Sequence, residues 1–279
     1  MRLKTDNQTA TAITIAAAAL LLAAILYAFF QFYPLGVDWE YTFSRLSEEW
    51  RNPFVIRTFT NPPWVTLLLP HAWLPLRWGN AVNLTLNIIL ISAVIWKLKG
   101  GWQTMLLVFT SPVFFDLART NNIGWVPMLA VLLPPTWGLP ILAIKPHTIG
   151  GAALIWWKKA GFNFKILIPA TLVIAASFAI WGWWPGKFGL IEDAQIWNFA
   201  PWPLGIPLGL YMLYRAWQQE DEFLAAAATP FLTPYLAPYS IAGILAYVGS
   251  KYRRQAFFVY VAFWVFFVVE SRRMAMMGN

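Results

Sequence analysis

The chain has 279 residues, of which 59% are hydrophobic and 11% charged, and it carries a net charge of +8. That charged fraction lies well below the roughly 25% of a soluble domain, so a water-soluble globular protein is excluded. No cysteine and only His71 and His147 are present, which excludes a disulfide framework, a thiolate metal site, a cysteine nucleophile and a histidine-rich metal site.

The first apolar run, Thr9–Tyr33, falls in a stretch without charge between Asp6 and Asp38. About 20 apolar residues of helix cross a hydrocarbon core, so this run predicts a full span. It is too long for a cleaved leader, and bulky aromatics stand where small cleavage-site residues belong. Arg2 and Lys4 place its start in the cytoplasm by the positive-inside rule.

A long external loop, 34–77, is expected next. Within it Trp39, Phe43, Leu46 and Trp50 recur at helical spacing, which predicts a short amphipathic helix on the membrane surface with Asp38 as its N-cap. Pro63–Leu76 is amphipathic but too short and proline-broken to span. Asn80–Trp96 then returns inward to Lys97 and Lys99, and Trp102–Phe115 exits at Asp116, Arg119 and Asn122. Short segments follow at Trp125–Pro134, Leu139–Ile144 and Thr148–Trp157, the last ahead of Lys158, Lys159 and Lys165. Ile166–Trp184, Leu204–Trp217, Phe223–Leu236, Tyr239–Ser250 and Ala256–Val269 complete the chain, with an external loop at Pro185–Pro201 that holds Glu192 and Asp193.

The expectation is therefore all-α: a polytopic transmembrane bundle of ten or eleven segments in one integral membrane domain, 1–279. The basic residues lie scattered between apolar runs without an aromatic platform, so they read as topology and exclude nucleic acid as a partner. The tripeptides Asn7-Gln-Thr9 and Asn83-Leu-Thr85 match glycosylation acceptors by chance.

Five polar residues need explaining. Lys145 lies amid apolar sequence directly before Pro146, where a broken helix frees backbone groups to line a cavity; an ionisable residue there is a functional candidate. His147 can donate to a phosphate or be a satisfied interfacial histidine. Asp38 reads equally as a solvated cap or as a general base at the membrane surface. Asp116 and Arg119 make either a helix-end ion pair or, through Arg119, a phosphate clamp.

In order along the chain, Asp38-Trp-Glu-Tyr41, Arg51-Asn-Pro-Phe54, Asn61-Pro-Pro-Trp64 with Leu74-Pro75, Arg119-Thr-Asn-Asn122, Lys145-Pro146 and Thr233-Pro-Tyr-Leu-Ala-Pro-Tyr239 resemble the motifs of the GT-C superfamily of polytopic glycosyltransferases. They are most similar to the polyprenyl-phosphate-mannose-dependent mannosyltransferases of glycosyltransferase family 87. The glutamine of that family's third motif and the aromatic–His pair of its last one are absent.

The resemblance implies a GT-C-like fold in the cell membrane with the active site on the non-cytoplasmic side. A sugar, mannose in the family, moves from a polyprenyl-phosphate donor to a hydroxyl of a glycan, lipid or protein acceptor in one inverting displacement. Asp38 is the implied base; Lys145, His147 and Arg119 hold the donor phosphate; Glu40, Tyr41, Trp64, Asn121 and Asn122 contact substrate. No cofactor is expected, although Asp38 with Glu40 leaves a divalent cation site open. The competing class is a non-catalytic lipid- or solute-binding membrane protein or a transporter, which broken helices also serve.

Overall fold

The computed structural model describes residues 2–190 and 198–277, and these are helices and turns with no strand. In chain order the helices are α1 (Arg2–Phe29), α2 (Leu46–Glu49), α3 (Leu76–Lys97), α4 (Gly101–Phe109), α5 (Pro112–Thr120), α6 (Trp125–Leu132) and α7 (Pro135–Leu142). They continue with α8 (Pro146–Ile149), α9 (Gly151–Lys159), α10 (Ile168–Trp181), α11 (Ile206–Gln219), α12 (Glu222–Leu232), α13 (Ser240–Gly249) and α14 (Arg253–Met277). The part of the expected 185–201 loop that holds Glu192 and Asp193 lies outside the described residues.

Among the described residues four helical stretches are long and apolar enough to cross a membrane: Thr11–Phe29, Leu76–Lys97, Phe164–Trp181 and Arg253–Arg272. Only α3 is central, with 56% of its span buried against 6% for α1 and 6% for α14. Helices that are apolar and bury so little in protein are compatible with contact to lipid.

The other expected segments are shorter, for local reasons. Trp102–Phe115 is cut into α4 and α5 because Ser111 caps α5, its side chain accepting from the Phe114 N–H, with Pro112 at the first helical position. Helices α6 and α7 have eight residues each, about 12 Å at 1.5 Å per residue. At that length neither crosses a hydrocarbon core alone, and the two pack against each other as a hairpin. Lys97 donates to the terminal carbonyls of α6, Val131 at 2.8 Å and Leu132 at 3.1 Å, which satisfies acceptors a helix end leaves open.

The turns predicted to be basic and cytoplasmic gather at one end. Lys158 donates to the Trp217 carbonyl at 2.7 Å, Lys159 pairs with Glu222 at 3.2 Å, Lys251 pairs with Asp221 at 2.6 Å, and Arg253 donates to the Gly100 carbonyl at 2.7 Å. Helix α14 starts at that end, and its distal half reaches the opposite one.

The loop after α1 departs from the amphipathic reading. A π-turn over Trp39–Phe43 and the single turn α2 replace one surface helix. Trp39, Phe43 and Leu46 are fully buried in a cluster with Val65, Leu69 and Val126, whereas Trp50 is 37% exposed. The four side chains therefore do not share one face. The π-turn widens the backbone and turns Trp50 outward, as such bulges do at functional sites. Asp38 makes no side-chain cap. Leu46→Ala should cost about 2–5 kcal/mol in detergent unfolding, and Trp50→Ala under about 1 kcal/mol, as for a surface change. Equal losses would contradict this packing.

Candidate functional site

The site is built where the end of α1, the start of α3 and the α5–α6 turn meet. Helix α3 carries Asn80, Asn83 and Asn87, all fully buried and spaced three and four apart, so they lie on one face. Opposite them α5 ends on Asn121 in the left-handed conformation, φ 50 and ψ 44, which asparagine tolerates better than most residues.

The asparagines hold this turn by its backbone. Asn83 Nδ2 donates to Asn121 O at 2.7 Å and to its Oδ1 at 2.9 Å, and Asn87 Nδ2 donates to Asn122 O at 2.8 Å. Asn121 Nδ2 returns to Asn80 O and Oδ1 at 2.7 and 2.8 Å. Asn80 Oδ1 also accepts the Gly36 N–H at 3.0 Å, which fixes the strand leading to Asp38. A Cβ on Gly36 would stand 2.1 Å from the Asn121 Cβ, so only glycine permits that approach.

The Trp39 ring stacks on His71 at 5.0 Å, and its N–H donates to the Leu76 carbonyl at 3.2 Å. Burial pushes His71 down to about 4, so it is neutral at pH 7. Its Nε2 lies 3.3 Å from Asn83 Oδ1, which already accepts from Trp125 Nε1 at 2.8 Å. With both amide hydrogens of Asn83 committed to the turn, Nε2 is the protonated nitrogen.

This scaffold presents Asn122 between two charges. Asn122 Nδ2 donates to Asp38 Oδ2 at 2.6 Å, and Lys145 Nζ donates to Asn122 Oδ1. Burial raises the Asp38 carboxyl above its ordinary value, opposed by the Asn122 hydrogen bond and by the charges of Lys145 and Arg119, with Asp116 adding to the rise.

Asp38 and Asn122 face a cavity of about 660 Å³. Its polar wall includes Arg57, Asn61, Asp116 and Arg119, and its apolar wall is Phe263, Trp264, Phe266 and Phe267 of α14. Arg119 is bonded to Asp116 at 2.8 Å, with its side chain two-thirds exposed. Tyr235 and Tyr239 close the third side.

Of the catalytic and binding residues expected from the sequence, Asp38, Arg119 and Asn122 line this cavity, as do Asp116, Asn61 and Tyr239, whereas Lys145, His147, Glu40, Tyr41, Trp64 and Asn121 do not. Lys145 is only 3% exposed and is not among the lining residues; its ammonium is engaged by Asn122 and lies 5.1 Å from the Tyr239 ring centre. His147 faces Ser240 at 3.4 Å and the Tyr235 ring. Asn121 is consumed by the asparagine ladder. Trp64 is buried, with its N–H on the Pro140 carbonyl at 3.1 Å and its ring against Trp184. Tyr41 is exposed away from the cavity, and Glu40 does not line it. Of the Asp38/Glu40 pair only Asp38 therefore faces the cavity, and among the described residues no three His, Cys, Asp or Glu side chains cluster as metal ligands.

Sequence reasoning passed over Arg57 and the ladder. Three asparagines at 80, 83 and 87 inside an apolar helix were the available signal, since polar groups at membrane depth turn towards the bundle interior. Asn83, read as a chance glycosylation match, is inaccessible within α3. No family model, curated protein or solved structure matches this chain.

Proposed function

We propose that the chain is a membrane glycosyltransferase that moves a sugar, mannose by the resemblance, from a polyprenyl-phosphate carrier to an acceptor hydroxyl. One observation supports this reading: a single cavity combines the Asp38 carboxylate of raised pKa, Arg57 and Arg119 beside Asp116 and Glu270, and an aromatic wall from α14, a helix long and apolar enough to cross a membrane. An amphiphile with an anionic junction fits such a space. Its chain would lie along Phe263, Phe266 and Phe267, and its phosphate at Arg57 and Arg119, where guanidinium forks match phosphate oxygens.

In the reaction, Asp38 takes the proton of the acceptor hydroxyl while the hydroxyl oxygen bonds to the anomeric carbon. The bond from that carbon to the phosphate oxygen breaks on the opposite face, and the electron pair leaves with the lipid phosphate. A phosphate is a weak base, so no general acid is needed; the arginines stabilise the charge that develops, commonly the largest catalytic contribution.

The membrane arrangement is part of the proposal. On this reading the far end, with the N-terminus, is cytoplasmic, which the basic turns there support by the positive-inside rule, and the cavity is on the non-cytoplasmic side of the cell membrane.

The test uses purified protein in liposomes, radiolabelled polyprenyl-phosphate mannose and a membrane extract as acceptor source. Label should leave the donor with release of polyprenyl phosphate. Saturable donor binding without release would fit the non-catalytic lipid-binding alternative and overturn the enzyme. Because Asp38 must lose its proton to act, kcat/KM should rise with pH through a midpoint above the ordinary carboxylate range. A limb at or below that range would contradict Asp38 as base.

A further inference from the structure

Lys145, Asn122 and Asp38 form a row from the interior to the cavity wall, and the chemistry of the row has a direction. An ammonium only donates hydrogen bonds, and an ionised carboxylate only accepts them. A primary amide between them satisfies both in one orientation alone, with oxygen towards Lys145 and nitrogen towards Asp38. Flipping the amide would set oxygen against carboxylate and NH₂ against ammonium. The Asn122 backbone cannot drift to relieve this, because Asn87 holds its carbonyl.

We propose that Asn122 is a positioning residue, oriented by Lys145, that keeps Asp38 Oδ2 as a fixed acceptor and leaves Oδ1 to take the proton of the acceptor substrate. Oδ1 has no hydrogen-bond partner among the described residues. The inference rests on the reading of Asp38 as base, and it moves Lys145 from a donor-phosphate ligand to a group that acts through Asn122. Burial opposes the charged form of Lys145 and Asp38 favours it, and Lys145 does this work from outside the cavity lining, without meeting the lipid phosphate.

Other charged or titratable groups face Asp38: Asp116 and Arg119 from α5, Tyr235 and Tyr239 from the turn before α13, and Arg57 and Glu270 (from α14) across the cavity, with Glu40 two residues along the chain. Of the substitutions at 122 and 145, Lys145→Met also removes a positive charge that itself lowers Asp38 and that sits over the Tyr239 ring, so the shift in Asn122→Leu, which leaves that charge in place, is the one that reports the row.

The experiment is an infrared titration of the Asp38 carboxyl band in the substrate-free protein, isolated by subtracting Asp38→Asn, together with the steady-state parameters. Asn122→Leu removes a hydrogen bond to the charged form, and Lys145→Met removes the group that orients it. Each should raise the Asp38 midpoint by about one unit, a tenfold change in its proton affinity, and lower kcat by about tenfold or more. In Lys145→Met the donor KM should stay within about twofold, because Lys145 does not line the cavity. Lys145→Arg should restore part of kcat. If Asn122→Leu does not accumulate as folded protein, Asn122→Ser reads the same shift, since its hydroxyl is too short to bridge both partners.

A donor KM raised tenfold by Lys145→Met with the Asp38 band unmoved would overturn the inference and return Lys145 to the phosphate. An unmoved band with unchanged kinetics in both variants would also overturn it. Failure of the base reading is distinct, because there Asp38→Asn itself would turn over normally.

Discussion

Asp38→Asn is expected to lower sugar transfer by about 10²–10⁴, the usual contribution of a positioned general base, without loss of fold. The amide oxygen at position 38 still accepts from Asn122 Nδ2, so the 2.6 Å contact survives. What disappears is basicity. The substitution also has a stability signature with a definite sign. A carboxyl whose folded pKa is raised binds more protons in the native state than in the unfolded state, so its contribution to stability falls as pH rises from the ordinary carboxylate value through the raised one. Asp38 is such a group. The variant should lose that decline and be at least as stable as the parent at neutral pH. Full turnover, or a clear loss of thermal stability near pH 7, would contradict the assignment.

Asn83→Leu should lower stability substantially. Asn83 donates to both oxygens of Asn121 and accepts from Trp125 Nε1 and His71 Nε2. Leucine is similar in volume and better suited to an apolar helix, so intuition from hydropathy alone predicts stabilisation. The bonds decide otherwise. Each buried donor or acceptor left unpaired costs about 1–3 kcal/mol, and the variant strands at least the Trp125 N–H and the Asn121 carbonyl. An expected loss of about 3 kcal/mol should appear as a lower midpoint in denaturant or thermal unfolding in detergent. Because the same turn aims Asn122 at Asp38, transfer should fall as well. An unfolding midpoint equal to or above that of the parent would show that the ladder does not hold the turn.

The all-helical membrane character was legible because it is a bulk property: charge-free runs and basic turns survive any detail of packing. Thus Thr9–Tyr33 and Asn80–Trp96 correspond to α1 and α3. The break inside Trp102–Phe115 was not legible, because an apolar run carries no record of where a capping serine cuts it, as at Ser111-Pro112.

Within the site, Asp38 and Asn122 stood out through motif-like context, and their contact across 84 positions is a tertiary fact. Helical spacing placed Trp39, Phe43, Leu46 and Trp50 on one face. A π-turn breaks the 3.6-residue period on which that inference depends. Lys145 was legible as a buried charge, but burial alone does not say whether a charge meets a ligand or another side chain. The asparagine spacing on α3 was in plain view, yet a search for titratable groups passes over amides.

The most direct test of the central claim is a cryo-EM map of the protein in lipid nanodiscs with a non-hydrolysable polyprenyl-phosphate sugar analogue. The account predicts density in the cavity bounded by α5 and α14, with the phosphate beside Arg57 and Arg119, the sugar facing Asp38, and the prenyl chain against Phe263, Phe266 and Phe267. An empty cavity at saturating analogue, or analogue bound at another surface with Asp38 unoccupied, would contradict it.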